Sequence, residues 1–97
     1  MKTYAVYIIS NHSRTLYTGM TGDLPRRIHQ HKAKEIDGFS KRYAIDQLVF
    51  YEIHDTPTGA IEREKQIKGW TRAKKILLIA ENNAGWHDLS GDLWPWS

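Results

Sequence analysis

Two tyrosines, Tyr7 and Tyr17, lie in two short runs of β-branched and aromatic residues separated by a polar stretch. This pattern predicts a β-hairpin with a longer loop. If the loop is centred on His12, Tyr7 lies directly opposite Tyr17. Ala5 then lies opposite Gly19 on the same face, because side chains alternate between the two faces along a strand. We therefore expect two phenols side by side, next to a gap of small residues where the backbone of a ligand can come close.

A glutamate, Glu64, lies on the apolar side of a predicted helix. On a helical wheel it falls in the middle of an arc formed by Ala60, Ile61, Ile67 and Thr71. A carboxylate there is costly unless it is paired, hydrogen-bonded or bound to a metal ion. Glu64 is therefore either half of a structural ion pair, with Arg27 as its candidate partner, or a functional group.

An earlier predicted helix repeats this pattern. His31 projects between the apolar residues Leu24 and Ile28, and Arg27 lies one turn before it on the flank. Taken singly, His31 is a semi-buried structural histidine and the tyrosines are good strand residues. Taken together, one helix layer over the tyrosine face would bring all five polar side chains to one place, which favours a functional site.

The elements that position these residues are predicted from caps and breakers. After the hairpin, Asp23 caps a first helix that has Pro25 in its first turn. This helix runs to about residue 34, is ended by Asp37-Gly38, and is followed by a basic loop over residues 39–44.

The second half of the chain adds one strand and two helices. Residues 47–53 read as a strand, Thr56-Pro57 begins a helix to about residue 70, and Thr71 caps another through residue 79 or 80. The fold class is therefore α+β in the order ββαβαα, with a small three-stranded antiparallel sheet flanked by helices. A Trp-rich tail from about residue 81 is expected to pack back onto the domain.

Composition narrows the class of protein. The 97 residues are expected to form one domain, 1–97. No membrane-length apolar run and no leader pattern is visible, so we expect no membrane association. The chain has no cysteine, which excludes disulfides and thiolate metal sites and fits a cytoplasmic location. The net charge is +3, and Lys and Arg crowd the middle of the chain. That basic patch is either a nucleic-acid surface or a solvated face.

Several motifs together resemble the GIY-YIG nuclease superfamily. The run "AVY" at 5–7 matches the GIY element and "YTG" at 17–19 the YIG element. Arg27 and His31 match the Arg-x-x-x-His helix, and Glu64 matches the metal-binding glutamate. The segments "DGFSKRY" and "LVFYE" and a closing Asn-x-x-Trp-x-Asp-Leu look like small stand-alone bacterial members, relatives of the nuclease module of nucleotide excision repair. The glycine of the GIY element is Ala5 here.

The resemblance implies a metal-dependent endonuclease, with DNA as the expected substrate and DNA repair as the expected setting. Glu64 would hold a single Mg²⁺ or Mn²⁺ ion, and Arg27 would contact a phosphate oxygen. Tyr7 is the candidate general base with His31 as relay, and we expect Arg27 and the metal to lower the Tyr7 pKa from about 10. Tyr17 would hydrogen-bond the phosphate or orient the water, and the two tyrosines can exchange roles.

Four further residues are expected nucleic-acid contacts: Gly19, Lys41, Arg42 and Asn83. Such contacts would reach phosphates rather than bases, which implies structure-selective cleavage without sequence specificity. No protein partner is implied.

Three alternatives stay open. The first is that the chain is a nucleic-acid-binding module with little or no turnover. A zinc site built from His29, His31 and His54 is disfavoured, because two residues i and i+2 on a helix point to different sides. An interaction domain would use the tail tryptophans Trp86, Trp94 and Trp96.

Overall fold

The computed structural model of this chain describes residues 2–36 and 38–93. In chain order the elements are β1 (Tyr4–Ser10), β2 (Leu16–Thr21), α1 (Leu24–Lys32), α2 (Phe39–Arg42), β3 (Gln47–His54), α3 (Pro57–Lys68) and α4 (Arg72–Asn82), followed by a short 3-10 helix at Leu89–Leu93. The α+β class and the three-stranded antiparallel sheet are confirmed. Within the described ranges, no helix has both the length and the apolar character needed to cross a membrane.

One element differs in kind from its prediction. The basic segment predicted as a loop contains α2, a single helical turn closed by bonds from the backbone N–H of Arg42 to Gly38 O and of Tyr43 to Phe39 O. A turn this short carries no periodic signal, so the sequence could not reveal it. Helix α1 ends at Lys32, earlier than predicted. The proposed stop at Asp37 and the tail residues Trp94 and Trp96 lie outside the described residues.

The helix starts are confirmed, because each depends on a local hydrogen bond. The side chain of Asp23 accepts from the backbone N–H of Arg26, at 3.3 Å. Those of Thr56 and Thr71 likewise cap α3 and α4. These side chains satisfy backbone donors that have no partner in the first helical turn, which fixes where each helix begins.

The hairpin register differs by two residues from its prediction. Tyr7 pairs with Gly19, and Ile9 pairs with Tyr17. The loop is centred on residue 13 because Asn11 closes it, its side-chain oxygen accepting from Thr15 N at 3.0 Å. A slip of two keeps every side chain on its expected face, so Tyr7 and Tyr17 still share one face.

Helices cover both faces of the sheet, so the expected single helix layer is wrong. Strand β1 is the central strand in the order β2-β1-β3, and its apolar residues are buried on both faces. On one face, Leu24 and Ile28 of α1 form a first apolar cluster with Tyr7 and Ile9. On the opposite face, α3 and α4 pack against a second cluster, which comprises Val6, Ile8, Val49, Phe50, Ala60, Ile67 and Ile79. A continuous apolar run such as β1 is typical of a strand covered on both sides.

The C-terminal segment packs back onto both clusters. Leu89 and Leu93 lie against the first cluster and Trp86 against the second, as expected of this tail. Asp88 fastens it, because its carboxylate accepts from Lys32 Nζ at 2.6 Å and from the backbone N–H of Leu48 at 3.2 Å. The segment thereby ties α1 to β3.

Candidate active site

Gly19 lies directly under the ring of Tyr7. A Cβ atom built on Gly19 would stand 2.5 Å from both Cζ and the hydroxyl oxygen of Tyr7, closer than packed atoms can approach. A side chain at position 19 would therefore force the Tyr7 ring to move. The gap that was expected to admit a ligand's backbone is filled by the Tyr7 ring, and Ala5 lies opposite Thr21 instead of Gly19. Contact of Gly19 with nucleic acid stays a prediction.

Three rings form a compact triangle on this face. The ring centroids of Tyr7 and Tyr17 are 6.5 Å apart, those of Tyr7 and His31 5.8 Å, and those of Tyr17 and His31 5.7 Å. Tyr7 and His31 are buried, whereas Tyr17 is half-buried. The sequence therefore predicted correctly that one helix and one hairpin face would bring these three side chains together.

His31 makes a hydrogen bond through each ring nitrogen. Its Nε2 lies 3.1 Å from the Tyr7 hydroxyl, and its Nδ1 lies 3.0 Å from the hydroxyl of Ser40 in α2. Ser40 is buried and was missed by sequence reasoning. A serine in a segment that reads as an exposed basic loop gives no sign that it faces the core.

Arg27 lies close enough to Tyr7 for its positive charge to act on the phenol. The pKa of Tyr7 is nevertheless raised to about 12, first by burial and then by neighbouring Tyr17, while Glu64 adds a smaller rise. Arg27 acts in the opposite direction, lowering the pKa, and does not compensate. The expected lowering of the Tyr7 pKa is therefore wrong for the protein without a metal.

The imidazole of His31 is held neutral. Burial, with a further contribution from the positive charge of Arg27, lowers its pKa to about 4. At neutral pH one ring nitrogen of His31 therefore carries a proton and the other is free to accept one. If Nδ1 donates to the Ser40 hydroxyl, Nε2 is the acceptor that faces Tyr7.

Glu64 belongs to the helix on the other side of the sheet. It lies on α3, which packs on β1 and β2, and it is close enough to Tyr7 to affect the pKa of the phenol. The apolar arc predicted around Glu64 is only partly correct, since Ala60 and Ile67 are buried but Ile61 is 39% exposed. Within the described part of the chain, Glu64 pairs with Lys68 at 3.3 Å rather than with Arg27.

Among the described side chains, the carboxylate of Glu64 is a candidate ligand for a divalent metal ion, and the histidines do not form a zinc site. Among the described residues no three His, Cys, Asp or Glu side chains cluster as a metal site, and both nitrogens of His31 are engaged. Mg²⁺, in contrast, is commonly bound by one or two carboxylates, with water and substrate phosphate as its other ligands. Glu64 fits that role because its half-exposed ion pair with Lys68 is weak enough to exchange for a cation.

Asn83 makes internal hydrogen bonds, and its contact with nucleic acid stays a prediction. Its buried amide donates to the carbonyls of Val49 and His87, and its side-chain oxygen accepts from His87 N. All three bonds connect the end of α4 to the tail and to β3. By contrast, Lys41 and Arg42 are exposed on α2 beside Ser40, where a polyanion can reach them.

Comparison with known proteins agrees with this fold. The family model described as the GIY-YIG catalytic domain matches residues 3–76, and the chain belongs to this family. Membership places it in a nuclease superfamily that acts on nucleic acid and generally uses divalent metal ions.

The more similar relatives are small proteins of the UPF0213 group. A UPF0213 protein of Haloquadratum walsbyi is 41% identical over 78% of this chain and 85% of its own length. One of Staphylococcus saprophyticus is 36% identical over 84% of this chain and 99% of its own. The solution structure of a UPF0213 protein from Bacillus halodurans superposes with a TM-score of 0.58 at 24% identity, covering 89% of this chain and 92% of that one, and so shares its fold.

Proposed function

We propose that this chain is a divalent-metal-dependent endonuclease that hydrolyses phosphodiester bonds, selecting substrates by structure rather than by sequence. The observation that carries the proposal is the Tyr7–His31 hydrogen bond beside Arg27, in a chain that belongs to a nuclease family. DNA is the proposed substrate and repair the proposed setting. The absence of cysteine agrees with a cytoplasmic location.

Arg27 has two roles in this proposal. In the free protein it lies beside Tyr7, whose side chain is fully buried. A substrate phosphate attracts the guanidinium, because charge-assisted bonds to phosphate are stronger than an interaction with a neutral phenol. As Arg27 turns to the phosphate it uncovers the Tyr7 hydroxyl, so that binding of the correct substrate prepares the base.

Proton transfer then runs from water to His31. The attacking water gives a proton to the Tyr7 oxygen while the Tyr7 hydroxyl proton passes to Nε2 of His31. This route avoids a free phenolate, which a pKa of about 12 makes rare at neutral pH. The water oxygen bonds to phosphorus as the bond to the leaving oxygen breaks. A Mg²⁺ or Mn²⁺ ion held by Glu64 would supply stabilisation of the charge on that leaving oxygen.

Tyr17 has the more accessible of the two phenols, because it is half-buried. In this proposal it hydrogen-bonds the scissile phosphate or orients the water, while Tyr7 serves as the base. In this proposal Ser40, whose hydroxyl lies 3.0 Å from Nδ1, accepts from Nδ1–H and so fixes the His31 tautomer. It is a positioning residue, since it acts through His31.

The direct test is cleavage of a panel of plasmid, flap, branched and single-stranded DNA and of matched RNA, with Mg²⁺, Mn²⁺ or EDTA. We expect cleavage of structured DNA that requires the metal and is lost in Glu64→Ala. Glu62→Ala, which removes an exposed carboxylate from the same helix, is the matched control and should cleave like wild type. Metal-dependent cleavage that survives Glu64→Ala unchanged would remove this mechanism.

A second candidate function, a nucleic-acid-binding module without turnover, is favoured by two properties of Tyr7. Tyr7 is 0% exposed and its pKa is raised, both of which oppose catalysis in the free protein. The same panel separates the two functions. A binding module gives tight, salt-dependent association with no metal-dependent product, even in single-turnover reactions with excess protein.

A further inference from the structure

Two aromatic rings stand side by side on the surface of α2. Phe39 and Tyr43 are four residues apart, so they share one side of the turn, and their ring centroids lie 4.8 Å apart. Each residue is 46% exposed. Single exposed apolar residues are ordinary, but a contiguous exposed pair of large rings indicates a binding surface.

The chemistry around this pair is cationic. Arg42 lies over the Tyr43 ring, with its guanidinium carbon 5.6 Å from the ring centroid. Gly38, Lys41 and Arg42 line one open depression together with the two rings. Aromatic faces flanked by Arg and Lys are the arrangement that proteins use to hold single-stranded nucleic acid, with bases stacked on the rings and phosphates on the cations.

The backbone that carries the pair is tied to the rest of the fold by hydrogen bonds, although the ring faces are open. Between the rings in sequence, Ser40 is buried and bonded to His31, and the backbone N–H of the buried Ile45 bonds to Ser40 O at 2.8 Å. The carbonyl of Tyr43 accepts from the Asn11 side chain at 2.8 Å, which ties the turn to the hairpin loop. A surface ordered before binding loses little further entropy when a ligand arrives.

We propose that Phe39 and Tyr43 form a stacking platform for an unpaired nucleobase whose flanking phosphate lies on Arg42. This deepens the proposed function and rests on it, because it names single-stranded segments as the feature by which substrates are selected. One backbone turn carries both the platform and Ser40, so an unpaired base on the rings has a fixed position relative to His31. Flaps, bubbles and overhangs would therefore bind in preference to continuous duplex.

The test measures binding of the full chain in EDTA, which prevents cleavage. The probes are a short single-stranded DNA, the same strand with abasic sites, a matched RNA and a duplex. We expect the base-containing strand to bind about tenfold or more tightly than its abasic counterpart, the scale of one stacked base. A 2-aminopurine in the strand should lose fluorescence on binding. The abasic comparison uses wild-type protein, so it does not depend on any variant folding.

Single substitutions test which side chains cause the base-dependent binding. Phe39→Ala should abolish the difference between the base-containing and abasic strands, whereas Phe39→Trp should retain it. Leu77→Ala removes a 58% exposed side chain elsewhere and should leave binding as in wild type. Arg42→Ala should weaken binding of both strands alike. It should also reduce by about one the slope of log K against log salt concentration.

The outcomes separate the two levels of the proposal. Equal binding of base-containing and abasic strands by an active nuclease overturns the platform and leaves the proposed function intact. The platform is also overturned if binding does not depend on the base and the two rings instead mediate a dimer that Phe39→Ala dissociates. Absence of both nucleic-acid binding and cleavage overturns both. Base-dependent binding of RNA alone supports the platform and contradicts DNA as the substrate.

Discussion

The hydroxyl of Tyr7 lies 3.1 Å from Nε2 of His31, and this bond is buried between the central strand and α1. Burial raises the pKa of Tyr7 to about 12 and lowers that of His31 to about 4, so both groups are neutral over a wide pH range. A neutral donor facing a neutral acceptor is suited to passing a proton without forming a stable charge on either group. The site is thus arranged for transfer during reaction rather than for a standing ionised base.

The lowered pKa of His31 predicts a pH dependence of stability. Because the unfolded state binds a proton near pH 6.5 and the folded state only near 4, unfolding takes up a proton between these values. The free energy of unfolding should have its full value above about pH 6.5. It should fall by up to about 3 kcal/mol as the pH drops towards 4, because a shift of one pKa unit is worth about 1.4 kcal/mol. Denaturant unfolding from pH 4 to 7 measures this.

A matched pair of variants identifies the source of that dependence. His31→Gln should flatten the profile in this window, whereas His12→Gln, in the exposed hairpin loop, should reproduce the wild-type slope. An unchanged slope in His31→Gln would show that the histidine is not held neutral.

Ser40→Ala tests the positioning of the imidazole. Removing the hydroxyl leaves Nδ1 of His31 buried without its partner, which should destabilise the fold by about 1–3 kcal/mol. It should also lower kcat more than it raises KM, because substrate contacts remain. Nitrogen NMR of His31 should show the Nδ1–H tautomer in wild type and a mixture in the variant. A pure Nε2–H tautomer in wild type contradicts the assigned direction of transfer.

Gly19→Ala tests the close approach of Gly19 to Tyr7. The added methyl group has no room beside the phenol, so the ring must move or the strands must separate. We expect a loss of about 1–3 kcal/mol in stability and a clear loss of cleavage. Gly91→Ala is the control, since a Cβ there meets nothing within 4 Å. Equal melting temperatures for the two variants would contradict the packing described.

Local signals in the sequence predicted much of this fold. The caps Asp23, Thr56 and Thr71 fixed three helix starts because each acts within a few residues of itself. The hairpin face was predictable, but its register was not, since the Asn11 side chain decides where the loop closes. The side of the sheet on which α3 packs could not be predicted either, because β1 is apolar on both faces and can be covered by a helix on either one. Ser40 escaped notice because only its tertiary contact with His31 distinguishes it.

Asn83→Ala separates a structural role from a binding role. The variant loses three internal hydrogen bonds and should be destabilised by about 2–3 kcal/mol. If the role of Asn83 is purely structural, the variant should bind nucleic acid with unchanged Kd below its melting temperature. Asn82→Ala, at the exposed neighbouring position, is the control for stability. A large rise in Kd with normal stability would instead confirm the predicted contact of Asn83 with nucleic acid.

The most direct test of the account is the single-turnover cleavage rate of Tyr7→Phe on a flap or branched DNA with saturating Mg²⁺. The variant keeps the ring over Gly19 and loses only the hydroxyl that bonds to His31. Tyr51→Phe, directly opposite Tyr7 on the other neighbouring strand, is the matched control. We expect the cleavage rate of Tyr7→Phe to be lower than that of wild type by about a hundredfold or more, with unchanged substrate Kd. Tyr51→Phe should cleave like wild type. Cleavage by Tyr7→Phe at the wild-type rate would contradict it.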